Sequence, residues 1–248
     1  SSSSEAEADS VVVVTTSGEL KRGLLLEQVD KELSKGDDRA ALSLVKDLQS
    51  KPGGLKAFGA AQQVAFAGGL SSLVLDTIGH NISKKYHDRV IQHEAGHFLI
   101  AYMLGILPKG YTLSSLEAFQ KEGSLNVQAG TVFVDFEFTE QISKGRVTAT
   151  MLNKFSCIAL AGVATEYLLY GYAEGGLADV NTLDGLLRSL GFTQKKADSQ
   201  VRWAVLNTIL ILRRHEQART LLAKAMSEGK SVGSCIDVIE KNIDETDI

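Results

Sequence analysis

Residues 88–104 read Asp88-Arg89-Val90-Ile91-Gln92-His93-Glu94-Ala95-Gly96-His97-Phe98-Leu99-Ile100-Ala101-Tyr102-Met103-Leu104. No proline interrupts the stretch before Pro108, so a helix over 88–107 closed by that proline is expected. On a helix, residues four apart lie one above the other on a single face. His93 and His97 can therefore reach one Zn²⁺, which takes imidazole nitrogens at about 2.0–2.1 Å. Glu94, one position on from His93, can reach a water on the metal rather than the metal itself, and a carboxylate there can take that water's proton. Such a site needs a third protein ligand. Glu166, on an otherwise apolar helix, reads as a ligand or as a partner orienting a histidine; Asp179 and Asp184 are further candidates. His215 sits in the charged run Arg213-Arg214-His215-Glu216, which reads as a solvated helix face, and His80 and His87 lie just upstream of the motif.

Downstream of this helix, Thr131 to Phe138 alternates with period two and predicts a half-buried strand. Val132, Val134, Phe136 and Phe138 would face one way, Thr131, Phe133, Asp135 and Glu137 the other, with the two acids blunting the edge. A peptide added along that edge would reach the metal; an ordinary core strand is the plainer reading. Helices are expected over 144–170, 180–190 and 198–225, and a short one over 234–243. Upstream, Ser17 offers an N-cap for a helix through Leu20, Leu24, Leu25 and Leu33. Asp37 or Asp38 caps a second, with Ala41, Leu44, Val45 and Leu48 on one face, stopped at Pro52-Gly53-Gly54. Ala57 to Gly79 reads as a buried helix or helical pair, and Val11 to Val14 as a short strand or extended arm. The expected fold is mainly α (α+β): helices with a small sheet and an N-terminal helical extension. The expected division is a disordered or extended tail over 1–16, the extension over 17–85 and the metal-bearing domain over 86–248.

The 248 residues include only two prolines and carry a net charge of −4, which argues against a nucleic-acid partner. Cys157 and Cys235 form no CxxC pattern, so a reducing compartment is expected. The longest apolar stretch, Ala57 to Ile78, is interrupted by Gln62, Gln63 and Asp76, so no membrane span is expected.

His93-Glu94-Ala95-Gly96-His97, followed by Ala159-Leu160-Ala161-Gly162-Val163-Ala164-Thr165-Glu166 and Leu168-Leu169-Tyr170-Gly171, resembles the peptidase domain of FtsH-type AAA proteases over about 86–239. The resemblance implies a helical zincin-like peptidase domain that cleaves polypeptides. It also implies zinc on His93 and His97, Glu94 as base, Glu166 as the supporting helix glutamate and Asp179 as the third ligand. Three departures stand out. Tyr167 replaces the family's second glutamate, the loop before Asp179 is one residue shorter, and Ala178 replaces its asparagine. No GxxxxGK[ST] occurs, so the ATP-driven unfoldase is expected to be missing, as in the stand-alone FtsH-like proteins of plant plastids. That likeness implies a chloroplast location, unfolded or flexible substrates, a separate unfoldase or other partner docking through residues 17–85, and an oligomer as in the family's rings. The competing expectation is a non-proteolytic scaffold that keeps the zinc as a structural element on the same fold.

Overall fold

The computed structural model describes residues 16–49, 51–61, 86–113 and 130–243. The 1–15 tail with its valine run, most of the 57–79 stretch, His80 and the last five residues lie outside the described residues. The described chain is mainly helical with one small antiparallel sheet. Its elements are α1 (Ser17–Ser34), α2 (Asp38–Gln49), α3 (Tyr86–Met103), β1 (Leu107–Thr112), β2 (Gly130–Val134), α4 (Phe136–Ser143), α5 (Ala149–Tyr170), α6 (Leu177–Ser189), α7 (Gln194–Arg214), α8 (Glu216–Ser227) and α9 (Val232–Asn242).

The central element is α3. Its second half, Phe98 to Met103, is apolar on every face and almost wholly buried, as expected of a helix surrounded by partners. It packs on α5 and α8, while α5 packs in turn on α7. The helix ends earlier than Pro108 predicts. Gly105 adopts a left-handed φ of 81°, and the Ile106 N–H reaches back to the Ala101 carbonyl at 2.9 Å. Leu107 and Pro108 then open β1, whose pairing runs from Leu107↔Val134 to Thr112↔Gly130 with an irregularity between Pro108 and Gly110.

The strand predicted to reach Phe138 stops at Val134. Asp135 leaves the strand and Phe136 starts α4, because the two phenylalanines find separate partners. Phe138 stacks on Phe155 of α5 at 4.5 Å, and the Arg39 guanidinium of α2 lies 4.3 Å from the Phe136 ring. Within β2 the expected faces also change: Val132 is exposed, and Thr131 and Phe133 line the groove described below.

The helix expected over 198–225 begins at Gln194, capped by Thr193, and divides at His215. That residue is buried, not solvated. The break re-aims the chain so that α7 lies on α5 while α8 lies on α3, where Arg219 donates to Gln92 at 2.7 Å. The helix expected to start near 144 begins at Ala149, with Thr148 as its cap.

At the N-terminus Thr16, rather than Ser17, caps α1 in a reciprocal pair with Glu19. Asp37 caps α2 through the Ala40 N–H, and Ala41, Val45 and Leu48 are buried. Leu20 and Leu24 are exposed, because α1 turns a different face, Arg22, Leu26 and Val29, toward α9. Arg22 pairs with Asp237 at 2.9 Å, and Asp30 accepts the Gly233 N–H at 2.7 Å. Residues 57–61 form turns rather than the start of a helix, with the Gly59 and Ala61 N–H groups on the Tyr102 and Met103 carbonyls.

Glu240 ties these turns to the core. Its buried carboxylate accepts from the Lys56 N–H at 2.9 Å, the Ala57 N–H at 3.0 Å and the Tyr102 hydroxyl at 2.7 Å. A glutamine would set an amide donor against one of three donors. Glu240→Gln should therefore lower stability by about 2 kcal/mol, read as a reduced urea midpoint at unchanged denaturant slope.

Candidate metal centre

Two helices build the site. His93 and His97 project from one face of α3, as their spacing predicts, and both are buried. Their Nε2 atoms lie 3.0 Å apart. Asp179, in the first turn of α6, brings Oδ2 to 3.2 Å from His93 Nε2 and 3.4 Å from His97 Nε2. Glu94 shares the cluster: one ligand atom from each of His93, Glu94 and His97 lies within 4.8 Å of the others.

The outer nitrogens decide what the inner ones can do. His97 Nδ1 is 2.7 Å from the Ile158 carbonyl, which only accepts, so Nδ1 carries the proton. His93 Nδ1 is 2.7 Å from Glu166 Oε1. Burial acts to raise the Glu166 pKa, but the hydrogen bonds from His93, the Glu174 N–H and Arg89 prevail and bring it down to about 2. An ionised Glu166 accepts from His93 Nδ1, so Nε2 is the nitrogen that can offer a lone pair once a metal displaces its proton.

Three electron-pair donors, two imidazole nitrogens and a carboxylate oxygen, thus converge with edges of 3.0, 3.2 and 3.4 Å. Such a cluster draws positive charge. Burial opposes a charged imidazole at His93, yet the hydrogen bonds with Asp179 and Glu166 outweigh it and raise its pKa to about 9. The same contacts hold the Asp179 carboxyl well below the usual range, against the effect of burial. A metal with four ligands at about 2.0–2.1 Å separates neighbouring ligands by about 3.3 Å, close to these three edges. The buried group of His93, Glu94 and His97 can bind a metal ion.

Close packing aims the two rings. A Cβ placed on Gly162 of α5 would lie 2.1 Å from His93 Nε2, so only glycine lets the ring cross that helix. A Cβ on Gly96 would meet Thr165 Oγ1 at 2.1 Å and the Ala161 carbonyl at 2.9 Å, so the glycine within the motif sets the approach of α3 to α5. Gly176 holds φ at +88° as N-cap of α6, which starts that helix with Asp179 facing the histidines.

Glu166 performs two tasks. One oxygen orients His93, and the other accepts the Glu174 N–H at 2.9 Å, fixing the loop that leads to Asp179. Arg89 donates to that second oxygen at 3.0 Å and to the Tyr172 carbonyl at 3.1 Å, with its guanidinium between the Tyr170 and Tyr172 rings. Sequence reading missed Arg89, although a signal was present: 89, 93 and 97 share one helix face. It also missed Thr131, whose hydroxyl donates to Glu94 Oε2 at 2.8 Å. Asp184 is away from the centre, paired with Arg188 at 2.7 Å on the surface of α6. His215 is likewise apart from the residues that line the site, and the side chains of His80 and His87 lie outside the described residues.

A groove of about 780 Å³ opens onto the cluster. Thr131 and Phe133 of β2 border it on one side, and Phe155 and Ile158 of α5 on the other. No described helix is long and apolar enough to cross a membrane. Comparison of the chain with protein-family models, with curated proteins and with solved structures finds no match.

Proposed function

We propose that this chain is a zinc metallopeptidase of the FtsH type that hydrolyses unfolded or flexible polypeptides. The observation that carries the reading is the triangle of His93 Nε2, His97 Nε2 and Asp179 Oδ2 with the Glu94 carboxylate beside it. His93, His97 and Asp179 would hold the zinc; imidazole and carboxylate are donors that zinc accepts, whereas magnesium and calcium favour all-oxygen sites. Bound zinc supplies the Lewis acidity that amide hydrolysis needs.

The remaining work belongs to the protein. Glu94 Oε2 is held by the Thr131 hydroxyl, which leaves its other oxygen to take a proton from the attacking water and return it to the departing amine. Glu166 and the Ile158 carbonyl keep both imidazoles in the tautomer that presents Nε2 inward. The substrate lies in the groove along Thr131 to Phe133 of β2, using main-chain hydrogen bonds that do not depend on its sequence. On this reading the substrates are polypeptides unfolded or flexible enough to lie extended along β2.

Metal analysis of the purified protein should give about one zinc per chain, and casein should be cleaved. A chelator should stop cleavage, and added zinc should restore it. Cleavage that persists without metal would overturn the mechanism. One zinc per chain with no cleavage of any unfolded protein would instead support a scaffold holding a structural metal.

A further inference from the structure

Lys154 is a charged groove residue that the hydrolytic chemistry does not use. The residue is 9% exposed and lines the groove with Met151, Phe155 and Phe138. A lysine buried to this extent is ordinarily paired. Among the described residues, neither Asp135, which shares the groove, nor Glu137 forms an ion pair with it. Burial lowers its pKa, Glu137 acts on it only through space, and Lys46 of α2 adds a second positive charge nearby. Arg89, the other cation in the groove, is already committed to Glu166 and the Tyr172 carbonyl. The Lys154 ammonium is therefore the cation in this wall available to a bound anion.

Its place along α5 sets where that anion would sit. Lys154, Ile158 and Gly162 are four apart and share one helix face. The Ile158 carbonyl holds His97, and Gly162 underlies His93. Four helical residues span about 6 Å and one extended residue about 3.3 Å, so Lys154 stands about two to four substrate residues from the metal centre.

We propose that Lys154 is a specificity-determining residue that receives an acidic side chain of the bound polypeptide. The chain thereby selects sequences with Asp or Glu about two to four residues from the cleaved bond. This inference rests on the peptidase reading of the site. A charge-assisted hydrogen bond to the ammonium favours a carboxylate over a neutral amide at the same position.

The test uses the zinc-loaded Glu94→Gln protein, which should hold peptides without cutting them. Fluorescent peptides differing only in Glu or Gln at successive positions are compared by anisotropy. At one position the Glu peptide should bind at least about tenfold tighter. The preference should vanish in Glu94→Gln/Lys154→Met, persist in Glu94→Gln/Lys154→Arg and turn toward lysine peptides in Glu94→Gln/Lys154→Glu. In wild-type digests of an unfolded protein, acids should be enriched at that same position. Equal affinities for the Glu and Gln peptides, or a preference that survives Lys154→Met, would overturn the assignment. Cleavage with no acid enrichment would overturn it while leaving the peptidase reading intact, and neither binding nor cleavage would overturn both.

Discussion

Glu94→Gln should reduce peptide hydrolysis at least about 10³-fold while leaving zinc content and thermal unfolding at wild-type values. Glutamine keeps the shape of the side chain and can still accept from the Thr131 hydroxyl, which in the native protein meets Glu94 Oε2 at 2.8 Å. It cannot take a proton, and a positioned general base contributes about 10²–10⁴-fold. On the proposed reading the ligands are His93, His97 and Asp179, whose donor atoms converge without Glu94, so the metal should stay bound. Glu94 is buried in the same cluster, so the variant tests a division of labour that proximity alone leaves open. Parallel measurement of zinc and of casein cleavage decides it. Loss of zinc would make Glu94 a ligand, and full activity would remove it as the base.

Gly162→Ala should abolish activity by a different route. The added methyl carbon would fall 2.1 Å from His93 Nε2, 2.3 Å from Cδ2 and 2.4 Å from Cε1, so the ring must leave its position. Its hydrogen bond to Glu166 and its convergence with His97 and Asp179 are lost together. Zinc affinity should fall at least about 100-fold, the upper end of what disturbing a ligand's support costs. Alanine is favoured over glycine inside a helix by about 1 kcal/mol, so α5 itself should not be weakened. Circular dichroism should therefore remain helical while equilibrium zinc titration shows the loss. Wild-type zinc affinity in Gly162→Ala would mean that His93 is not held over α5 as described.

Several of these features were open to sequence reading, and they share a cause. The pairing of His93 with His97 depends on helical pitch alone, and so does the face shared by Ala41, Val45 and Leu48. The loop tethered by Glu166 could not be read in this way, because its partners, Arg89 and the Glu174 N–H, lie 77 positions before it and 8 after it. Alternation over 131–138 is compatible with a strand running on to Phe138, yet the strand ends at Val134. The choice fell to Phe138 stacking on Phe155 and Arg39 capping Phe136. His215 looked solvated among charged neighbours, but a helix break buried it.

By itself the sequence determined the chemistry on offer: two imidazoles and a carboxylate on one helix, a glutamate on an apolar helix, and a helical chain to carry them. Those follow from local periodicity, which residues a few positions apart decide among themselves. Only the tertiary structure decided which carboxylate meets the histidines: Asp179 and Asp184 lie five residues apart on α6, about 140° around its axis, and only Asp179 reaches the cluster. It decided the tautomers through Ile158 and Glu166, and it explained Gly96 and Gly162 as the places where two helices approach too closely for a side chain. Contacts between distant segments depend on how whole elements pack, and no short-range pattern in the chain encodes that geometry.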